Sequence, residues 1–388
     1  MTNLKQGKIF NKLKFLSSKS VIVGIIFLAI YFVGFATEPK VPTQGKISKL
    51  EVPNVLINLS DIIPVVVGHE VNIYFNNIMC LDDSSSYQFN VICTKGMQQV
   101  ERWTFVPELG DIGDIPITIE VYKNYSLIGS VNSIVRVVEE TKGAGQTLKV
   151  NIIGDSTTAN NIMINELAHL FSADSMHISF VGTQGASPNL HEGYGGKTTD
   201  WLYTDSTSPF VYSNSFNYGT YLSTHSLPTP DIVILNLGIN DIFTHTDDKS
   251  TLKVIKKMIT QYDAMIAKIK LSNPSMKFGV CVTVPSGSED AFGDYKSDQT
   301  SWRYNRNNRL LTDALINHYK SKQAQNIYCV PININLDTVN NTTLNVPAQI
   351  NSRYPSTIQR QTNGVHPGPY GYYQIADVDY YWLKSMGN

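Results

Sequence analysis

The hydrophobic period of the chain changes once, near residue 145. From about 50 to 140, apolar and polar positions alternate, as in Val71-Asn72-Ile73-Tyr74-Phe75, Ile117-Thr118-Ile119-Glu120-Val121 and Ile134-Val135-Arg136-Val137. A period of two puts successive side chains on opposite faces of a strand. Asp82-Asp83-Ser84 and Gly110-Asp111-Ile112-Gly113 read as turns between such strands. Short strands at this spacing, with no helical period among them, predict a small all-β sandwich over 45–142. Thr141-Lys142-Gly143-Ala144-Gly145 then marks a flexible boundary.

Beyond the boundary, continuous apolar runs alternate with helical stripes. The runs at 148–153, 178–182, 232–237, 278–284 and 327–332 suit strands covered on both faces. Ile164, Leu167 and Phe171 share one helical face. Leu252, Ile255, Ile259, Tyr262, Ile266 and Ile269 form a longer stripe. Two more helices are expected over about 305–320 and 372–384. This alternation predicts an α/β unit over 146–388, a parallel sheet with helices on both faces. Sites in such sheets form beyond the carboxyl ends of the strands.

The candidate chemistry falls there. Leu148-Lys149-Val150-Asn151-Ile152-Ile153 runs into Gly154-Asp155-Ser156, and a helix follows. At that junction the Ser156 hydroxyl can be exposed, and its N–H lies among the orphan donors of a helix N-terminus. Gly193-Tyr194-Gly195-Gly196-Lys197-Thr198-Thr199 follows the second strand and Gly238-Ile239-Asn240-Asp241 the third. Asn363-Gly364-Val365-His366-Pro367 follows the fifth.

With these four blocks the sequence resembles the SGNH hydrolases, or GDSL family, over about 149–383. The resemblance implies a flavodoxin-like three-layer hydrolase domain. Ser156 would be the nucleophile and His366 its base. The Ser156 N–H, the Gly196 N–H and the Asn240 amide would form the oxyanion hole. Each such donor is worth roughly 3 kcal/mol. Alignment through Gly-x-Thr favours Gly196 over Gly195 and Gly193. Asp155, Gly195, Trp302 and Tyr304 are the expected substrate contacts. The last two belong to an aromatic segment with Phe292 and Tyr295 that would wall the site. His191, His225 and His245 read as surface or substrate-contact residues rather than metal ligands.

One position departs from the family pattern. Asp usually stands three residues before the catalytic His, and here it is Asn363. In a serine protease that exchange costs about 10⁴ in rate, because the wrong tautomer is held. Three readings are open. Ser156 and His366 work as a dyad, with Asn363 or a backbone carbonyl orienting the ring; a carboxylate from another loop substitutes; or the domain is a weakened enzyme that mainly binds.

Composition narrows the setting. The chain has 388 residues, 42% of them hydrophobic and 16% charged, with a formal net charge of −1. No basic stripe points to nucleic acid. Lys5, Lys8, Lys12, Lys14 and Lys19 precede an apolar run over 21–36, which reads as a signal peptide or membrane anchor over 1–37. The chain beyond it is expected outside the cytoplasm, secreted or anchored. No Cys follows the run, which excludes a lipoprotein anchor. Cys80 and Cys93 could pair within the sandwich, whereas Cys281 and Cys329 read as buried thiols. No metal-ligand spacing and no cofactor motif is present. The expected activity is hydrolysis of short-chain, mainly acetyl, esters on a carbohydrate or cell-wall glycan. The alternative is an exported glycan-binding module on a hydrolase scaffold.

Overall fold

A computed structural model describes residues 56–81, 84–292, 299–344 and 347–388. The expected leader, the Asp82-Asp83 pair and Tyr295 lie outside the described residues. Among the described residues, seven strands and one short α-helix precede residue 139. They are β1 (Ile62–Val66), β2 (Val71–Tyr74), α1 (Phe75–Met79), β3 (Gln88–Cys93), β4 (Met97–Gln98), β5 (Arg102–Phe105), β6 (Gly113–Lys123) and β7 (Ser126–Val138). They form two sheets, β1-β7-β6-β3 and β2-β5-β4. All pairings are antiparallel except β1 with β7. In β6, Ile117, Ile119 and Val121 are buried while Thr118 and Glu120 face outward, as the alternation predicts. The strand predicted over 71–75 stops one residue early. Phe75, Ile78 and Met79, at i, i+3 and i+4, turn into the core as a single helical turn.

The second part begins with β8 (Thr147–Gly154), α2 (Ser156–Ala159), α3 (Ile162–Ser172), β9 (His177–Phe180), β10 (Gln184–Ala186) and β11 (Asn189–Gly193). Next come α4 (Thr199–Thr204), the hairpin β12 (Val211–Tyr212) and β13 (Ser215–Phe216), α5 (Tyr218–Thr224), β14 (Ile232–Asn236), α6 (Ile239–Ile242) and α7 (Asp248–Ile269). It closes with β15 (Lys277–Cys281), α8 (Ser301–Tyr319), β16 (Ile327–Val330), β17 (Thr342–Leu344), β18 (Ala348–Asn351), β19 (Tyr354–Ile358), β20 (Gln361–Pro367) and α9 (Pro369–Ser385). The main sheet has the order β10-β11-β8-β14-β15-β16, with β9 also paired to β8. Every pairing is parallel except β10 with β11.

The strand residues alternate between two apolar cores, as a doubly covered sheet requires. Val150, Ile152, Ile232 and Ile234 face α3 and α9. Ile153, Val233 and Leu235 face α5, α7 and α8. On α7 the buried row is Thr251, Ile255, Met258, Tyr262, Met265, Ile266 and Ile269. This corrects the predicted stripe at one end: Leu252 is 49% exposed, because Thr251 and Met258 complete the i+3/i+4 row.

The first core does not stop at residue 145. It joins Ile63, Val65, Ile119 and Val135 of the early strands to Val150, Leu167, Ile375 and Tyr381 of the α/β layer. Residues 51–388 cluster as one compact unit. Polar ties cross the same boundary. Tyr74 N–H donates to Ile334 O (3.0 Å), and Tyr381 OH to Glu70 O (2.8 Å). Lys384, fully buried, pairs with Asp174 at 2.7 Å and donates to Glu140 O at 2.6 Å. Cys80, Cys93, Cys281 and Cys329 are all free, so the pairing weighed for Cys80 and Cys93 is not made; Cys281 and Cys329 are buried. Among the described residues no helix is long and apolar enough to cross a membrane.

Candidate active site

Ser156 is the first residue of α2, directly beyond the carboxyl end of β8, the strand at the centre of the sheet. Gly154 makes this junction tight. A Cβ there would lie 2.0 Å from Thr158 Oγ1 and 3.0 Å from Asn236 O. Asp155 caps the helix, its Oδ1 accepting from Thr157 N–H at 2.9 Å. The carboxyl is 1% exposed, and burial pushes it up to about 6. A buried cap cannot meet a substrate, which corrects the placing of Asp155 among the substrate contacts.

His366 comes from outside the main sheet. Its strand, β20, pairs antiparallel with β17, with Thr343 opposite Asn363 and Thr342 opposite Pro367. The fold brings His366 Nε2 to 2.8 Å from Ser156 Oγ across 210 residues of sequence. Burial lowers the His366 pKa below its ordinary 6.5, which favours the neutral ring a general base needs. Asn363 Oδ1 accepts from the backbone N–H groups of Val365 (3.1 Å) and His366 (2.8 Å). The residue in the usual Asp position thus fastens the peptide that carries the imidazole. Thr343 Oγ1 adds a bond to His366 O at 3.3 Å.

The glycine block closes over Ser156. Tyr194 N–H donates to Gly154 O at 2.9 Å, and Lys197 N–H returns to Tyr194 O at 3.2 Å, closing a turn. Gly196 has φ +72°, a conformation that favours glycine, and open space where a Cβ would stand. A Cβ on Gly195 would lie 3.9 Å from the Ser156 Cβ, so this residue borders the nucleophile. Gly193 serves packing instead: its Cβ would meet Ala159 N at 2.5 Å. Asn240, on α6, donates one Nδ2 proton to Lys197 O at 3.1 Å. The amide has a second proton for an oxyanion. Asp241 beside it accepts from Thr199 N–H at 3.0 and 3.1 Å, bolting the far end of the block to α6. Burial pushes the Asp241 carboxyl up to about 6.

Other expected contacts fall elsewhere. Tyr304 is 1% exposed and packs with Ile239, Phe292 and Val365 beneath the site. The register of α8 turns position 304 inward with Asn308, Leu311 and Leu315, so the ring has no face for a sugar. Trp302 is exposed on the same helix, but it lines a groove with Leu81, Asp248, Arg306 and Arg309 rather than with the four blocks. His191 is a correction too. It is buried on β11, with Nδ1 accepting from Gly193 N–H (2.9 Å) and Nε2 2.8 Å from Asn161 Oδ1. Glu192, which sequence reasoning passes over, is also fully buried there. Nothing in Asn189-Leu190-His191-Glu192 alternates in hydrophobicity, so the pattern hides the strand.

The model of a family described as GDSL-like lipase/acylhydrolase matches residues 143–378, more than half of the chain. The chain belongs to this family. Ser156, Gly196, Asn240 and His366 all lie within the matched residues, and an esterase or acylhydrolase activity goes with the family. Solved structures similar to the chain include a family 3 carbohydrate esterase from Clostridium thermocellum (20% identity, TM-score 0.39, 62% of this chain and 100% of that one). A family 3 carbohydrate esterase from Talaromyces cellulolyticus has 18% identity and a TM-score of 0.38, over 62% and 97% of the two chains. A carbohydrate acetylesterase from Sinorhizobium meliloti has 15% identity and a TM-score of 0.36, over 62% and 99%. No curated protein sequence matches the chain.

Proposed function

We propose that this chain is a serine esterase that removes short acyl groups, acetyl first among them, from a carbohydrate or cell-wall glycan. The 2.8 Å contact between Ser156 Oγ and His366 Nε2 carries the reading. The neutral ring takes the hydroxyl proton as Oγ bonds to the ester carbonyl carbon. The carbonyl electron pair moves onto oxygen and meets the Ser156 N–H, the Gly196 N–H and the second Asn240 proton. Collapse breaks the bond to the alcohol, which leaves with the proton from His366, and acyl-Ser156 remains. Water, deprotonated by His366, then releases the acid and restores Ser156.

Ser156 and His366 act as a dyad in this scheme, and Asn363 steadies the histidine through the backbone. The glycan half of the proposal is supported by the polar side chains on the segments that carry the site. Asn160, Asn161, Lys197, Asn240 and Thr343 are each half-buried there. It is supported too by the basic and apolar leader, which would carry the chain to where such glycans lie.

Acetate release from a panel of acetylated glycans tests the proposal. The wild type should release acetate, and Ser156→Ala should lose at least roughly 10⁴-fold in kcat. Glycan binding without release, and no fluorophosphonate label on Ser156, would support the binding-module reading instead.

A further inference from the structure

Of the residues 193–196 that form the turn over Ser156, three are glycine. Glycine gives the turn its shape but no side chain by which it can be held. Tyr194 is the single side chain by which the turn can be gripped from below, and its hydroxyl ends on Glu192 Oε2. Glu192 is fully buried. Among the described residues it forms no ion pair with a lysine or arginine. A carboxylate out of water costs several kcal/mol unless its lone pairs are met. Here they are met by three donors. Thr183 N–H and Tyr221 OH bond to Oε1, and Tyr194 OH bonds to Oε2.

These donors come from three directions. Thr183 belongs to the chain entering β10, Tyr221 to α5, and Tyr194 to the turn. Burial, and after it the Glu192 charge, holds the Tyr194 and Tyr221 hydroxyls well above the ordinary phenol range, so both remain donors. The Tyr194 ring packs against Trp201, at 5.3 Å between centroids. One residue back, His191 Nδ1 takes the Gly193 N–H. Adjacent residues of β11 thus grip adjacent residues of the turn.

We propose that Glu192 is a positioning residue that sets the oxyanion turn through the Tyr194 hydroxyl. This rests on the esterase reading above. Oxyanion donors lower a barrier only if they are already aimed when charge develops, and a misplacement of about 1 Å costs about 10²-fold. Freed from Glu192, the Gly-Tyr-Gly-Gly segment would sample other turns, and the Gly196 N–H would leave its line.

The experiment compares Glu192→Gln, Tyr194→Phe and Tyr221→Phe in the full chain, with hydrolysis of an aryl acetate, thermal midpoint and pH profile as readouts. In the first two, kcat should fall about 10- to 100-fold, with KM and the acid limb of the pH profile unchanged. Tyr221→Phe removes a donor from the same carboxylate on the helix side. It should lower the thermal midpoint and leave kcat near native, whereas a merely structural role would lower stability alike in all three and spare kcat. If Glu192→Gln fails to fold, Tyr194→Phe, which deletes one hydroxyl and no charge, decides alone. Native kcat in folded Tyr194→Phe overturns the inference, as does an equal kcat loss in Tyr221→Phe. A wild type that neither hydrolyses the ester nor reacts with a fluorophosphonate overturns the esterase reading, and the inference falls with it.

Discussion

The two halves of the site are held in different ways. Ser156, Gly196 and Asn240 stand at the ends of elements rooted in the main sheet. The backbone that leads into each is packed so closely that a methyl group on Gly154, Gly193 or Gly238 would collide with neighbouring atoms. His366 stands on a two-stranded pair with two register shifts. Side-chain hydrogen bonds hold that pair in place. Gln361, buried at the start of β20, donates to Thr338 O (2.8 Å) and Val339 O (3.0 Å) and accepts from Ser288 N–H. Gly287 N–H reaches Gly364 O at 2.9 Å. The nucleophile is set mainly by shape, whereas the base, like the glycine turn over Ser156, leans on a few polar ties. Shape is lost all at once when overfilled, whereas polar ties can be cut one at a time.

Cutting one group from each half would sharpen this contrast. On the sheet-held half, Asn240→Ala removes an oxyanion donor and the tie to Lys197 O. It should cost roughly 10²–10³ in kcat with little change in KM, measured on an aryl acetate. On the other half, Gln361→Ala unties β20 without touching a reacting atom. Here kcat should fall by less than about 10²-fold, the cost of about 1 Å at the base. Amide exchange should quicken in β20 and stay slow in β8. Equal quickening in both strands would erase the distinction. The smallest effect is expected from Asn363→Asp. An aspartate accepts the same two backbone N–H groups, so the turn survives and kcat should change by less than about tenfold. Its charge should also shift the pH profile. In the wild type, burial lowers the His366 pKa, and protonated His366 cannot take the serine proton. Activity should therefore rise with pH through a midpoint below 6.5. A nearby carboxylate favours the charged ring, so the variant's midpoint should lie higher. If the variant instead turned over faster by about two orders of magnitude or more, the natural site would lack a charge it needs, against the dyad.

The same contrast explains what could be read from the sequence. The sheet-held half announces itself, because apolar strands are visible as runs and the residues after them are polar or glycine. Ser156 and Asn240 can be placed at one edge from that alone, whereas Gly196 follows β11, which has no apolar run, and only the family resemblance singles it out. The strand that carries His366 cannot be so placed. Gln361-Thr362-Asn363-Gly364 has no apolar alternation: side-chain amides hold its start, and it meets the small core under the site only at Gly364 and Val365, where Phe292 packs. Glu192 and His191 stayed hidden for a related reason. Their burial is made tolerable by Tyr194, Tyr221 and Asn161, which lie apart in sequence. Tyr304 misled because an aromatic ring in a polar-looking helix says nothing of which way it faces. Asp155 could be read in two ways, and helix capping is the one the fold uses.

The apolar core that runs across residue 145 bears on how this protein can be rearranged. A chain begun after Gly145 would leave α9 facing water where β1 now lies, and would strand Lys384 without the Glu140 carbonyl. The helix stripped in this way begins three residues after His366. Gene fusion or trimming at that seam would spoil the hydrolase itself, so the early strands should be inherited with it as a single piece.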